Sequence, residues 1–321
     1  MRTAAALGAI LLVGCSQAST SSPSAASSRS PVASPSAAMN LACRLPIGTP
    51  DGRGAFISFP SATVSFDPKG KGLHDYGGAY YDRAFSRWLP VNRNSVSSNG
   101  ARYVYLEPKV PGTPGRARLH VVDVSSGKDR LYELGPRGDV SAYVVVDFAP
   151  EGIWLSYSGY EAPGGGLFVL NLATGVLKEI GGRGILEPVA GGRGVFWFTD
   201  GGPSPQVAAI GFTIPARVNR LTISNGKTEA WFSKPGSYLR VLGTDVAGQP
   251  IILNQDNRTD VWRAVSPSEA KVIGLPQGDY QLIADIHGVW FGSHQGVYLY
   301  TDAGRLTKVS NQPGYPANGC F

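Results

Sequence analysis

Three features of the sequence predict an all-β fold built from repeated four-stranded sheets. Glycine is abundant, with 42 in 321 residues, nearly double its usual share of roughly 7%. A turn glycine followed by an apolar, β-rich run recurs six times along the chain. Hairpins with polar turns keep step with those runs. Charged residues make up 16% and aromatic residues 10%. That composition excludes a coiled coil and supplies enough large side chains for a core.

The repeat reads Gly54-Ala-Phe-Ile-Ser-Phe, Gly100-Ala-Arg-Tyr-Val-Tyr-Leu and Gly152-Ile-Trp-Leu-Ser-Tyr. It continues as Gly194-Val-Phe-Trp-Phe-Thr, Gly248-Gln-Pro-Ile-Ile-Leu and Gly288-Val-Trp-Phe-Gly-Ser. The six glycines are spaced by 46, 52, 42, 54 and 40 residues. Hairpins follow in register, as in Leu119 to Gly127 before Arg130-Leu-Tyr-Glu-Leu, and Leu167 to Gly175 before Val176-Leu-Lys-Glu-Ile. Alternating apolar residues around a polar turn mark a β-hairpin. Each unit therefore holds about four strands in about 40–50 residues, the size of a propeller blade. The expected fold is a six-bladed β-propeller over residues 39–321, with seven blades as the alternative because the spacing of 54 is loose. Trp154, Trp197 and Trp290 fall at matching places in second strands and are expected to pack between blades.

The elements before the repeat concern export. Met1-Arg2 is a short positive end, and Ala4 to Val13 is an apolar run too short to span a bilayer. The run ends in Leu12-Val13-Gly14-Cys15, which resembles the bacterial lipobox. The resemblance implies that 1–14 is a signal peptide and that Cys15 carries a lipid. Residues 16–38 contain ten Ser, six Ala and three Pro, a composition that cannot offset its own ordering entropy. With Cys15 they are expected to form a tether, over 15–38, with a span of roughly 25–30 Å. The protein is thus expected outside the cytoplasm, lipid-anchored to the cell membrane. Cys43 and Cys320 lie at the two ends of the repeat region and are expected to form a disulfide that latches it. No strand is evident that would join the ends by exchange.

Single blades resemble known propellers. Gly288 to Tyr300 is similar to the repeat of two-component sensor ectodomains. Val96-Ser-Ser-Asn-Gly-Ala-Arg-Tyr-Val-Tyr resembles the turn and strand of TolB-type propellers, with Ser98 and Asn99 replacing Pro and Asp. Gly194-Val-Phe-Trp-Phe-Thr is similar to repeats of streptogramin lyases. Propellers host many unrelated activities, so these likenesses speak to fold.

Propeller ligands usually bind on the face formed by loops between second and third strands and between blades. Arg93, Arg116, Arg118, Arg137, Arg183, Arg217 and Arg258 fall in those loops. Arginine suits bidentate contact with carboxylate or phosphate. Arg137, Arg183 and Arg258 are the expected ligand-binding residues, for a protein, peptide or cell-envelope glycan. From residue 39 onward there are 27 basic and 23 acidic residues, too even a balance for nucleic acid. The alternative is a lyase or hydrolase using His294, which lies in Ser293-His-Gln-Gly on the same face. Among His74, His120, His287 and His294 no zinc-type spacing occurs, and Asn254 to Asp260 lacks the pattern of a Ca²⁺ loop. No metal or cofactor is expected, and the chain is expected to be a monomer.

Overall fold

The alternation of apolar and polar residues after each turn glycine places the strands. A computed structural model describes residues 41–75, 78–108, 115–137, 142–158, 166–181, 185–201, 215–256 and 260–321. The signal region, Cys15, the tether, Arg183, Arg258 and most of the long 200–219 loop lie outside the described residues.

The described strands form seven antiparallel sheets. The first holds β1 (Arg44–Gly48), β2 (Gly54–Ser58) and β3 (Thr63–Phe66), with β25 (Tyr315–Pro316) paired to β1. The second is a two-stranded sheet of β4 (Tyr80–Asp82) and β5 (Arg87–Leu89), followed by a short 3-10 helix, η1 (Arg93–Ser95). The third holds β6 (Arg102–Leu106), β7 (Gly115–Asp123) and β8 (Asp129–Arg137). A bridge from Val96 to Tyr103 supports its inner edge. Four strands make the fourth sheet: β9 (Ala142–Ala149), β10 (Gly152–Ser158), β11 (Gly166–Leu170) and β12 (Leu177–Gly181). The fifth is β13 (Leu186–Gly192), β14 (Val195–Gly201), β15 (Pro215–Thr222) and β16 (Lys227–Ser233). The sixth is β17 (Leu239–Thr244), β18 (Pro250–Asn254), β19 (Val261–Ser266) and β20 (Glu269–Ile273). The seventh is β21 (Gln281–Asp285), β22 (Gly288–Ser293), β23 (Gly296–Tyr300) and β24 (Leu306–Ser310).

Gly152, Gly194, Gly248 and Gly288 open or closely precede the second strand of a four-stranded sheet, whereas Gly54 opens β2, third in its sheet once β25 is counted, and Gly100 precedes β6, the first strand of the third sheet. The repeat does not mark the β4–β5 sheet as a unit of its own. Its strands are only three residues each, too short to carry an alternation signal.

The sheets pack face to face in chain order. Third and fourth sheets share a core through Leu119, Leu134, Phe148 and Leu155. Trp154 of the fourth packs on Phe196 of the fifth, with ring centres 4.7 Å apart. Trp197 donates its indole N–H to the Gly248 carbonyl beside the sixth sheet, at 2.8 Å. Trp290 of the seventh lies in one cluster with Leu45, Ile47 and Ile57 of the first. The three tryptophans therefore pack between sheets, as expected. The two-stranded sheet lies between the first and third. Its Trp88 meets Phe56, while Tyr80 and Leu89 meet Val96 and Val124.

The C-terminal tail ties these ends together, which corrects the expectation that no strand was left over. In β25, Pro316 pairs with Ile47 and Tyr315 with Gly48. Ala317 donates its N–H to Pro46, and Arg44 and Phe321 exchange backbone bonds of 2.7 and 3.0 Å. Gly314 bridges to Ser293 of the seventh sheet, and Tyr81 of the second donates to Ala317. Gly292 permits this approach: a Cβ there would lie 2.3 Å from the Gly314 carbonyl oxygen. The disulfide between Cys43 and Cys320 is present, with Cα atoms 5.6 Å apart. The tail escaped the sequence reading because two residues containing a proline carry no strand pattern.

Candidate functional site

The expected site residues fall only partly among the described residues. The Arg137 backbone ends β8, and Arg183 and Arg258 lie outside the described residues. Arg116, Arg118 and Arg217, expected in loops, lie within β7 and β15, because those strands start earlier than the periodicity indicated. They are also paired. Arg118 is 3.3 Å from Glu107, Arg116 is 3.7 Å from Glu133, and Arg217 grips Asp200 through Nε at 2.9 Å and Nη2 at 2.5 Å.

His294 is exposed, and its ring meets Tyr315 edge-on at 5.8 Å. The backbone brings a second histidine to the same end. Gly48 pairs with Tyr315, and His74 hydrogen-bonds the carbonyl of Thr49 through Nε2 at 2.9 Å. Sequence spacing could not reveal this, because His74 arrives from the segment after β3. Burial alone holds the Tyr298 hydroxyl above its usual range. Among the described residues no group of three His, Cys, Asp or Glu side chains could hold a metal ion.

The clearest cleft lies at the other end of the sheets, between the third and fourth, with a volume of about 490 Å³. The β7–β8 turn forms one wall. Asp123 accepts hydrogen bonds from the Ser125 hydroxyl at 2.7 Å and from the Ser126 amide and hydroxyl at 2.8 Å. These donors, Ser125 Oγ foremost, hold the Asp123 carboxyl down to about 2. Register sets Arg102 opposite Asp123 and Arg130 opposite Val121. The Arg130 guanidinium sits 4.7 Å over the Tyr132 ring, and Arg102 sits 5.7 Å over Phe148 of the next sheet. Tyr132 donates its hydroxyl to the Leu172 carbonyl at 2.8 Å, fixing the floor between the two sheets. The opposite wall is the Pro150–Gly152 turn and Asn171. Asn171 Oδ1 accepts the Ala173 and Thr174 amides, which leaves its side-chain NH₂ for a ligand.

Charge bookkeeping favours an anion here. Arg102, Lys128 and Arg130 line the cleft, and none has an ion-pair partner among the described residues. The two carboxylates are partly engaged: Asp123 by its serines, and Glu151 by the Trp154 indole N–H at 3.1 Å. The sequence marks this hairpin but not the site. The Lys128-Asp-Arg130 run was the available signal. The cleft exists only because the fourth sheet supplies the facing wall.

Comparison with solved structures is consistent with the fold. TolB from Acinetobacter baumannii superposes with a TM-score of 0.51 at 11% identity, over 86% of this chain and 67% of that one. The acylaminoacyl peptidase of Pyrococcus horikoshii gives 0.43 at 12% identity, over 64% of this chain and 37% of that one. The β-propeller domain of the Trilobed protease from Pyrococcus furiosus gives 0.45 at 10% identity, over 80% and 73%. The chain thus spans two thirds of TolB and little more than a third of the peptidase. The likeness is one of fold alone: all-β, with repeated antiparallel sheets of the propeller type. No protein-family model matches the sequence, and no curated protein is similar to it by sequence.

Proposed function

We propose that this chain is an exported, lipid-anchored propeller that binds an acidic cell-envelope glycan without transforming it. Its six repeat units are the blades, and the β4–β5 sheet is set between the first two. The packing of the seventh sheet against the first supports that arrangement. Cys15 carries the lipid, and the 15–38 tether holds the domain off the membrane surface.

The single observation that carries the binding reading is the cleft with three cations that lack acidic partners among the described residues. Two arginines can grip sugar carboxylates bidentately, and Lys128 adds a point charge. Asp123 and the Asn171 amide are placed to accept from, and donate to, sugar hydroxyls. Such contacts are exposed, so affinity falls as salt rises.

The test is a titration of the full chain with a polyuronate and with a neutral glucan of similar length. The polyuronate is expected to bind and to weaken with salt. The triple variant Arg102→Ala, Lys128→Ala, Arg130→Ala is expected to lose at least about tenfold in affinity, since charged hydrogen bonds contribute about 1.5–3 kcal/mol each. Equal binding of the neutral glucan, or full retention in the variant, refutes the reading. Fractionation tests the anchor: Cys15→Ser is expected to leave the membrane pellet and to lose fatty-acid labelling.

A further inference from the structure

A second cavity of about 360 Å³ lies between the fourth and fifth sheets, against η1. Its chemistry differs from that of the cationic cleft. Asp147 of β9 lies on one wall, with Arg93 of η1 and Arg193 of the β13–β14 turn on others. The floor is apolar, made by the rings of Trp154 and Phe196, tilted 47° to each other and both 3% exposed.

A β-bulge aims Asp147 into this cavity. Trp154 pairs with Asp147 but Leu155 pairs with Val145, so Val146 is an extra residue in β9. Beyond a bulge the alternation inverts. Tyr143 and Phe148 therefore face the third sheet, while Val146 faces the fifth and Asp147 lines the cavity on that side. The carboxylate meets the Phe148 amide and no side-chain donor among the described residues. Burial pushes its proton affinity up, against the pull of Arg93, and Glu151 pushes it further. It is open to a donor from outside.

Arg193 is held in a costly conformation. Its φ is +52°, between Gly192 at +75° and Gly194 at +70°. Glycine would adopt this turn without strain, so a side chain kept at its tip points to a use for that side chain. Arg93 bonds the Val96 carbonyl through Nη1 at 2.9 Å, which fixes its guanidinium beside the cavity.

We propose that this cavity binds a small zwitterion, an amino acid or dipeptide, with its ammonium on Asp147 and its carboxylate on Arg93 and Arg193. A plain anion would meet Asp147 and Glu151, and a plain cation would meet both arginines. Only a ligand with both charges satisfies the two sets together. The volume suits a ligand of this size. The proposal is independent of the glycan cleft, whose three cations line a different wall of the Pro150–Glu151 turn.

The experiment is calorimetric titration of the full chain with Ala-Ala, N-acetyl-Ala-Ala and Ala-Ala amide. Ala-Ala is expected to bind one to one, and each blocked peptide at least about tenfold more weakly, the loss of one charged contact. Asp147→Asn should abolish the discrimination against the acetylated peptide. Arg193→Gly, which relieves the backbone, should reduce the discrimination against the amide. Thermal melts of both variants confirm that they are folded. The triple variant of the glycan cleft should bind Ala-Ala unchanged. Absence of saturable heat at millimolar peptide, or equal binding of the blocked forms, overturns the proposal.

Discussion

Removing the Cys43–Cys320 bond tests the account of how the ends are joined. The bridge spans a sequence separation of 277, so it constrains nearly the whole folded region in the denatured state. The chain-entropy relation gives about 5–6 kcal/mol for such a loop, as an upper figure. Unfolding entropy for about 280 residues is about 0.6 kcal/mol per degree. The double variant Cys43→Ser, Cys320→Ser should therefore melt about 9 °C lower at most. The native tail contacts do not reduce this loss, because the entropy belongs to the denatured chain. They do decide what remains: Ala317, Phe321 and β25 still bond to the first sheet, so the variant should fold. Differential scanning calorimetry with and without reductant measures the shift. A change below about 2 °C would show that the denatured chain gains little freedom, and would refute the reasoning.

The Glu107–His120–Asp129 array gives a pH signature. Burial disfavours the charged imidazole, but hydrogen bonds to Glu107 at 3.0 Å and Asp129 at 2.7 Å outweigh it, raising His120 above 6.5. A raised histidine stabilises fully below its unfolded value and loses that contribution as pH rises through the folded one. Glu107 is lowered from 4.5, chiefly by His120, so its share is lost as pH falls. His120→Gln should cost at most about 1 kcal/mol near pH 5.5, and clearly less near pH 8.5, in urea melts. An equal cost at both would count against a charged histidine. Asp82 behaves oppositely: it is 1% exposed, its Oδ2 has no hydrogen-bond partner among the described residues, and burial raises its carboxyl above 3.8. Asp82→Asn should stabilise by about 1 kcal/mol at neutral pH, the gain fading as pH falls toward the unfolded value; a loss at neutral pH would contradict this. Gly292→Ala should cost about 1–3 kcal/mol by forcing the tail away from β22, with faster hydrogen exchange at Ala317 and Phe321. An unchanged melt would mean that the tail is not packed as described.

Particular residues show how far the sequence carried the reading. The turn glycines Gly152 and Gly288 have φ of +152° and +131°, and each backs onto a neighbouring strand's carbonyl, so their recurrence reports backbone geometry directly. Trp154, Trp197 and Trp290 recur because each sheet presents a large ring to the next. Arg116, Arg118 and Arg217 illustrate the limit: their type was read correctly, but strand ends are not encoded in alternation alone, and the structure pairs each with a carboxylate.

The sequence by itself determined the all-β class, the recurrence of a turn glycine before an apolar strand and the pairing of two cysteines. Those follow from local periodicity and from residue types whose backbone and redox chemistry act wherever they stand. Tertiary structure alone decided the two-residue closing strand, the position of His74 beside the His294 end, and both cavities. Each is made by residues from different sheets. Arg102 with Asn171, and Asp147 with Arg193, become neighbours only when apolar faces pack. The bulge at Val146 then sets which way a carboxylate points. Burial, which raises the proton affinity of Asp82 and Asp147, is a property of that packing and has no counterpart in the order of residues along the chain.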